Sequence, residues 1–367
     1  MTSYIYQNKS WPDFTWDDQR IINLLGAVRN LQGRVLGRMD SLGFEYRNEA
    51  VLDTMTLDVI KSSEIEGVFL NPEQIRSSVA RHLGIDVAGM VASDRNADGI
   101  VDIMIDATQK NELPLSVERL FNWHSALFPT GRSGISKITV SAWRTDSKGP
   151  MQVISGVIGK EKVHFIAPPA NHIACEMEKF VEWFNRDDNT DLVLKSAVAH
   201  LWFVTIHPFE DGNGRIARAL AEMILARSDE SAQRFYSMSA RIRIERKEYY
   251  RILEKTQKGG LDITDWLLWY LNCLMNALHS TESILTRVMH KAAFWRNNAD
   301  KILNARQRTM LNRLLEGFDR KLTTSRWAKI AKCSSDTALR DIQDLISSGI
   351  IKKAEEAGGR STNYKLV

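Results

Sequence analysis

His207-Pro-Phe-Glu-Asp-Gly-Asn-Gly-Arg-Ile-Ala-Arg218 is the stretch from which the rest of the chain can be interpreted. Apolar residues at helical spacing run up to Ile206, and Pro208 predicts the end of that helix because proline cannot continue it. Asp-Gly-Asn-Gly predicts a tight turn whose two glycines let the backbone approach a ligand closely. A new helix is predicted from about Arg215, and the free N–H groups of its first turn predict an anion site.

Four of the charged or titratable side chains in this stretch are candidate functional groups. Arg215 and Arg218 are three residues apart on one helical face and can flank phosphates with their planar donor groups. Asp211 offers a hard oxygen ligand suited to Mg²⁺ shared with phosphate. His207 is a candidate general base, since an unperturbed histidine has a pKa of about 6.5. Each residue alone has an ordinary structural explanation, and only their joint occurrence favours a catalytic site.

The stretch resembles the active-site motif of the Fic family, His-Pro-Phe-x-x-Gly-Asn-Gly-Arg-x-x-Arg. The resemblance implies an enzyme that transfers AMP from ATP to a Tyr, Ser or Thr hydroxyl of a target protein, with Mg²⁺ as cofactor. Asp211 stands at the acidic position of the intact motif. The specified positions are met by His207, Pro208, Phe209, Gly212, Asn213, Gly214, Arg215 and Arg218.

The resemblance also implies a role for each motif residue. His207 would deprotonate the acceptor hydroxyl, whose oxygen attacks the α-phosphate of ATP while pyrophosphate leaves. Asp211 would hold the Mg²⁺, and Asn213 with the backbone of residues 212–214 would hold the anion. Arg215 and Arg218 would neutralise the departing phosphates.

Two flanking segments extend the resemblance. Met151–Ile154 and Lys162–Ile166 flank a turn-rich stretch and predict a hairpin, which is similar to the family's flap. Residues 248–257 are similar to the helix that borders the adenine pocket. A surface hairpin and core aromatic residues would explain both segments without the motif. The implied target-docking residues are Val153, Ile154 and Ser155, and the implied nucleotide contacts are Tyr249, Tyr250 and Gln257.

Ser62-Ser-Glu-Ile-Glu-Gly67 resembles the inhibitory motif of Fic proteins. The resemblance implies that Glu66 pairs with Arg218 and forces ATP into a non-productive pose. Ser62 lies four residues before Glu66, on the same helical face, and can help to orient it. The alternative is a solvated glutamate at a helix end that Gly67 closes.

The chain is predicted to be mainly α-helical: a Fic helical core with a small β-hairpin flap, an extra N-terminal helical domain and a C-terminal winged helix. The predicted domains are 1–95, containing the inhibitory helix at about 48–67, then 96–290 as the catalytic core, and 301–367. A first helix is predicted between Thr15–Asp18 and Gly43. The other helices before residue 300 are predicted at about 48–66, 71–84, 97–110, 116–128, 172–185, 191–206, 215–227, 245–257 and 264–289.

Residues 301–367 carry 14 Lys and Arg against 7 Asp and Glu, although the net charge of the chain is only +4. Three predicted helices, at 306–315, 324–332 and 334–348, precede two strands about Gly358-Gly359, which is the order of a winged helix-turn-helix. A DNA-binding regulator is therefore one alternative function, although we favour a protein-docking module. On DNA, the groove would be met by Ser335, Thr337 and Arg340, and phosphates by Lys352, Lys353 and Arg360.

The bulk composition fits a globular protein of the cytoplasm. Apolar residues make up 44% and charged residues 26% of the 367, and no stretch is apolar enough to predict a membrane span. The three cysteines lack paired or metal-ligand spacing, which favours free thiols in a reducing compartment. The expected partners are ATP and a target protein, with self-modification and a homodimer left open. Removal of AMP, with a metal and Glu66 acting on water, is an alternative that the sequence does not separate from AMP transfer.

Overall fold

A computed structural model describes residues 4–41, 44–85, 90–93, 95–147, 149–156, 160–315, 322–354 and 362–367. Contacts group the chain into two compact units, Met1–Glu282 and Ser283–Val367. The division of the first unit into an N-terminal and a catalytic domain near residue 95 stays a prediction. None of the helices described is both long enough and apolar enough to cross a membrane.

The first unit is mostly helical, as predicted. Its short strands form two separate antiparallel hairpins, β1 (Arg132–Ser133) with β2 (Ser136–Lys137) and β3 (Gln152–Ser155) with β4 (Lys162–Ile166). Helix α11 continues past residue 282. The helices are α1 (Asp18–Asp40), α2 (Phe44–Ile65), α3 (Pro72–Leu83), α4 (Arg95–Gln109), α5 (Val117–Leu127), α6 (Ile173–Asn185), α7 (Leu192–Ile206), α8 (Asn213–Ser228), α9 (Met238–Ile244), α10 (Arg246–Gln257) and α11 (Thr264–Asn297).

Helix α7 forms the centre of this unit. All its residues from Val193 to Ile206 are buried, because its apolar side chains lie on every side, a pattern typical of a helix surrounded by protein. The Asp191 carboxylate caps its first turn by accepting from the N–H of Val193. Helix α8 packs against α7, so the turn that joins the two helices lies at one end of this core.

Several helix bounds differ from the prediction. Helix α8 begins at Asn213 rather than Arg215, because Gly212 has a φ of 83° and reverses the chain there. Helix α2 begins at Phe44, about four residues earlier than predicted, and α11 runs past residue 289. Helix α9 was not predicted, since seven residues carry too little periodicity. Gly43, the predicted end of α1, lies outside the described residues.

The predicted start and end of α3 are confirmed. The Asn71 side chain accepts hydrogen bonds from the N–H groups of Glu73 and Gln74, and Pro72 fills the first helical position. Gly84 ends the helix with a φ of 65°, the left-handed conformation that glycine adopts at little cost.

The predicted hairpin is also present. Strand β3 pairs with β4 from Gln152 opposite Ile166 to Ser155 opposite Lys162, with a bulge between residues 153 and 154. Phe165 packs edge-on against Tyr4, with ring centroids 5.2 Å apart, so the N-terminal segment supports one face of the hairpin. Residues 157–159 of the predicted turn lie outside the described part.

The second unit has the predicted order of elements. Helices α12 (Ala305–Leu315), α13 (Thr324–Ile330) and α14 (Ser335–Ser347) precede β5 (Ile351–Lys353), which pairs with β6 (Tyr364–Leu366). Trp327, Ile342 and Leu345 lie in its buried core. The assignment as a winged helix stays a prediction. Of the residues named for its turn and its DNA contacts, Gly358, Gly359 and Arg360 lie outside the described residues.

Candidate active site

His207 ends α7 in a conformation that few side chains adopt. Its φ of 53° and ψ of 57° are left-handed, which costs a non-glycine residue roughly 1–2 kcal/mol. Nδ1 lies 3.2 Å from the carbonyl oxygen of Val204. Since only a protonated nitrogen can donate to a carbonyl, this contact leaves the Nε2 lone pair free to accept a proton. Burial lowers the pKa of His207 to about 4, so the ring is neutral at pH 7.

The glycines of the motif turn are required by close packing. A Cβ on Gly212 would lie 2.9 Å from the Phe128 ring and 3.0 Å from Leu127. Gly212 is also the N-cap of α8 and offers no side-chain cap. The first-turn N–H groups of α8, which have no partner within the helix, can therefore serve a ligand. The anion site at this turn stays a prediction, and these N–H groups are its candidate donors.

The Asn213 side chain holds the turn together. Its Oδ1 accepts from the N–H of Phe209 at 3.0 Å, and its Nδ2 donates to the Phe209 carbonyl at 2.8 Å. Asn213 is buried, and both ends of its amide are engaged with backbone. The family resemblance implies that this residue holds the anion. The structure gives its side chain these backbone contacts instead, so a role toward an anion stays a prediction for its main chain.

Asp211 lies directly before Gly212, the N-cap of α8. One carboxylate oxygen accepts from the N–H of Gly212 at 2.6 Å, and the other accepts from the Ser133 hydroxyl. The carbonyl of Asp211 lies 3.2 Å from Nε2 of His124, whose ring stacks on Phe209 at 4.1 Å. Mg²⁺ commonly binds one or two carboxylates together with substrate phosphates and water. A carboxylate beside the N-terminus of α8 is a donor of that kind.

Arg215 has an N–H group that lacks an acceptor among the described residues. Its guanidinium lies over the Phe128 ring, 5.1 Å from the centroid, and burial lowers its pKa. Its Nε is buried and has no hydrogen-bond partner among the described residues. A buried donor without an acceptor is costly, so an anion at the turn would relieve that cost.

Arg218 is held by the helix that the sequence predicted to be inhibitory. Its Nε donates to the Ser62 hydroxyl at 2.9 Å, and its Nη2 donates to the Ser62 carbonyl at 2.8 Å and to the Glu66 carboxylate at 2.9 Å. Burial lowers the pKa of Arg218, but the charge and hydrogen bond of Glu66, together with Tyr249 and Tyr250, raise it by more, so the net shift is upward. Nη1 is buried and has no acceptor within the described part.

The Glu66 carboxylate also lies against the turn itself. A Cβ on Gly214 would be 2.2 Å from Glu66 Oε1. Glu66 therefore lies directly over the first turn of α8, and only glycine at position 214 leaves room for it. The carboxylate thus lies near the N-terminus of α8, the end of a helix at which a negative charge is electrostatically favoured.

The three α10 residues predicted to bind nucleotide differ in accessibility. Tyr249 is buried, and its hydroxyl bonds Nε2 of His200 at 2.8 Å. Gln257 is also buried and donates to the Thr205 hydroxyl at 3.3 Å. Tyr250 is 36% exposed, and its hydroxyl lies 3.5 Å from the Glu66 carboxylate. Tyr250 is thus the one of the three that lies both exposed and beside Glu66.

The predicted target-docking residues lie on β3. Ile154 is exposed and Val153 packs toward the aromatic cluster beneath the hairpin. The Ser155 hydroxyl lies 2.5 Å from Nε2 of His164, whose Nδ1 lies 2.7 Å from the Glu254 carboxylate of α10. The hairpin is therefore linked to the helix that carries Tyr250.

Several residues that touch the site were missed by the sequence analysis, among them His124, described above, and two others. Ser133, on the short β1 strand, bonds Asp211, and Arg144 donates to the carbonyl of His207. Neither belongs to a recognisable spacing, because each lies far from the turn along the chain. An arginine in a loop shortly before a hairpin carries no periodic pattern that could have marked it.

The fold and the motif turn agree with a match to a known family of domains. Residues 114–225 of this chain match the sequence model of the Fic/DOC family. Residues 4–85 match a second family described only as a domain of unknown function, DUF4172.

Curated relatives match part of the chain. It is 31% identical over 115 residues to "Protein adenylyltransferase Fic" of Drosophila mojavensis, which is 31% of this chain and 21% of that protein. It is 29% identical over 103 residues to "Probable protein adenylyltransferase aq_aa38" of Aquifex aeolicus, 28% of this chain and 30% of that protein. The chain thus spans less than a third of the length of these relatives.

Solved structures support the fold. A Fic family protein from Desulfovibrio desulfuricans covers 97% of this chain and 98% of its own, with a TM-score of 0.57 at 18% identity. A single-residue variant of Fic-1 from C. elegans covers 74% of this chain and 73% of its own, with a TM-score of 0.51 at 20% identity. The helical arrangement is therefore shared with Fic proteins.

Proposed function

We propose that this protein transfers AMP from ATP to a Tyr, Ser or Thr hydroxyl of a target protein and that Glu66 restrains this activity. The observation that carries the proposal is the neutral His207 with its free Nε2, beside a helix N-terminus flanked by two arginines. A base adjacent to a phosphate cradle is what transfer of a phosphoryl-linked group to a hydroxyl needs. The named activity of the relatives agrees with this chemistry.

In the proposed reaction, Nε2 of His207 takes the proton of the acceptor hydroxyl. The hydroxyl oxygen forms a bond to the α-phosphorus, and the bond from that phosphorus to the bridging oxygen breaks, so pyrophosphate leaves with that electron pair. The unpaired N–H groups of Arg215 and Arg218 would donate to the phosphates. Asp211 would hold Mg²⁺, which supplies charge neutralisation when bound.

The restraint rests on the position of Glu66. Its carboxylate bonds Arg218 and covers the first turn of α8, which is the surface that the γ-phosphate would otherwise use. A carboxylate and a phosphate compete for the same donors because both are anions that accept from N–H groups. The proposal is therefore that ATP reaches its productive pose only when Glu66 leaves Arg218.

The test uses two labels on the same nucleotide. Purified protein and its Glu66→Ala variant are incubated with lysate and either α-³²P-ATP or γ-³²P-ATP, in the presence of Mg²⁺. AMP transfer predicts that adding the protein increases labelling from the α-label alone, relative to lysate without it, and His207→Ala should remove that increase. An increase from the γ-label would identify a kinase instead, and no increase by Glu66→Ala with either nucleotide would contradict the proposal.

A further inference from the structure

Arg144 is a buried charge outside the motif. It is only 2% exposed and lies in the segment that leads from α5 into the β3–β4 hairpin. A charge in the protein interior is costly unless it is paired and hydrogen-bonded. The hydrogen-bond partners of Arg144 therefore indicate its role.

The contacts of Arg144 join two parts of the candidate site. Its Nε donates to the carbonyl of His207 at 2.7 Å, and its backbone N–H donates to the carbonyl of Pro208 at 2.9 Å. Its Nη2 donates to the carbonyl of Pro168, at the end of the hairpin, at 2.6 Å. Nη1 pairs with Asp146 at 2.9 Å. Three carbonyls and one carboxylate thus converge on a single residue.

The carbonyl that accepts from Nε of Arg144 belongs to His207, whose backbone conformation is strained. A left-handed His207 persists only when its surroundings fix it, and the peptide group that follows it is fixed from one side by Arg144. On the other side, Nδ1 of the same histidine contacts Val204. The direction in which Nε2 points therefore depends on two contacts of His207, one through its main-chain carbonyl and one through Nδ1 of its ring. Arg144 supplies the main-chain contact.

The guanidinium also acts on the imidazole through its charge. Burial is the largest cause of the lowered pKa of His207, and Arg144 lowers it further, whereas the Glu66 and Asp211 carboxylates raise it. Loss of the Arg144 charge should thus raise this pKa. A residue that only stabilised the fold would not have this effect.

We propose that Arg144 is a positioning residue for His207, which it fixes through the main chain and links to the base of the β3–β4 hairpin. The catalytic role of His207 in this inference rests on the proposed function. The geometric claim, that Arg144 fixes the ring of His207, stands apart from the reaction.

The labelling test compares Arg144 with a matched arginine. Arg119 also spans a loop with several hydrogen bonds, to Asp106 and to the carbonyls of Leu113 and Pro114, and has no contact with the motif in the described structure. Arg144→Lys, Arg144→Met, Arg119→Lys and Arg119→Met are made in the Glu66→Ala background and compared at equal folded concentration.

Misplacement of the base predicts a fall in kcat of at least about tenfold for both Arg144 variants, with the KM for ATP changed less than about threefold. The Arg119 variants should stay within about twofold in both parameters. Equal losses at the two arginines would overturn the proposal. If Arg144→Met does not fold, Arg144→Lys decides, because it keeps the charge and loses the planar fork.

A second readout does not depend on activity. Imidazole ¹⁵N spectra of His207 are recorded against pH without nucleotide or Mg²⁺. Arg144→Met should raise the pKa of His207 and shift its ring signals, whereas Arg119→Met should do neither. If Glu66→Ala labels nothing, the proposed function fails and this measurement alone decides the inference. Unchanged His207 signals in Arg144→Met would then overturn it.

Discussion

Removal of the Glu66 carboxylate tests the central contact of the proposed regulation. Arg218 is held by three hydrogen bonds, and Glu66→Ala removes the one to a charged partner while both bonds to Ser62 remain. A hydrogen bond to a charged group contributes about 1.5–3 kcal/mol. The Glu66 side chain is 30% exposed, and solvent screening reduces this to about 1–2 kcal/mol.

Two magnitudes follow from this free energy. A unit of this size loses roughly 2 °C in Tm per kcal/mol, so Glu66→Ala should melt about 2–4 °C lower without nucleotide. ATP must displace the same contact to reach Arg218, and 1–2 kcal/mol corresponds to a factor of about 5–30. Labelling at subsaturating α-³²P-ATP should rise by that factor, and Arg218→Ala added to Glu66→Ala should cancel the gain.

Glu64→Ala is the matched control for this experiment. Glu64 lies in the last turn of α2, two residues before Glu66, and pairs with Lys61 at 2.7 Å and Arg243 at 3.3 Å instead of Arg218. General loosening of the helix end would raise labelling in both variants, whereas the specific contact predicts a rise only for Glu66→Ala. Equal labelling by wild type and Glu66→Ala, at equal folded concentration, would refute the reasoning.

The remaining predictions concern the base, the metal, a buried carboxyl and the second unit. His207→Ala should lose labelling yet bind ATP with little change by calorimetry, because the phosphate cradle remains; substantial labelling would remove the base from the mechanism. Asp211→Ala should lose both activity and its response to added Mg²⁺, and an unchanged Mg²⁺ titration would show that another group is the ligand. Burial raises the pKa of Glu222 to about 7, so its protonated form stabilises the fold below pH 4.5 and that contribution is lost as pH rises through 7. Glu222→Gln should therefore reduce the fall in Tm between pH 5 and pH 8, and an unreduced fall would contradict this assignment. Deletion of residues 301–367 should leave labelling of a generic hydroxyl acceptor within about twofold, since the matched Fic domain ends before them, and loss of labelling in a folded truncated protein would assign the second unit a part in the reaction.

The local elements could be predicted from the sequence because their causes lie within a few residues. Asn71 and Pro72 start α3 through contacts inside its first turn, and Gly84 ends it through its own φ. The apolar residues of α7 predict a buried helix without knowledge of what surrounds it. The pairing of Glu66 with Arg218 was also expected, although from the resemblance of two motifs to a family and not from spacing.

The tertiary structure alone decided which distant groups meet at the turn. Arg144 is 63 residues from His207 and Ser133 is 78 from Asp211, and neither position carries a periodic or capping pattern. The side-chain amide of Asn213 bonds the N–H and the carbonyl of Phe209, because these buried backbone groups require hydrogen-bond partners. Hydrogen-bond propensities and side-chain periods act over one or two turns of chain, whereas these contacts depend on how α7, α8 and the preceding loops pack together.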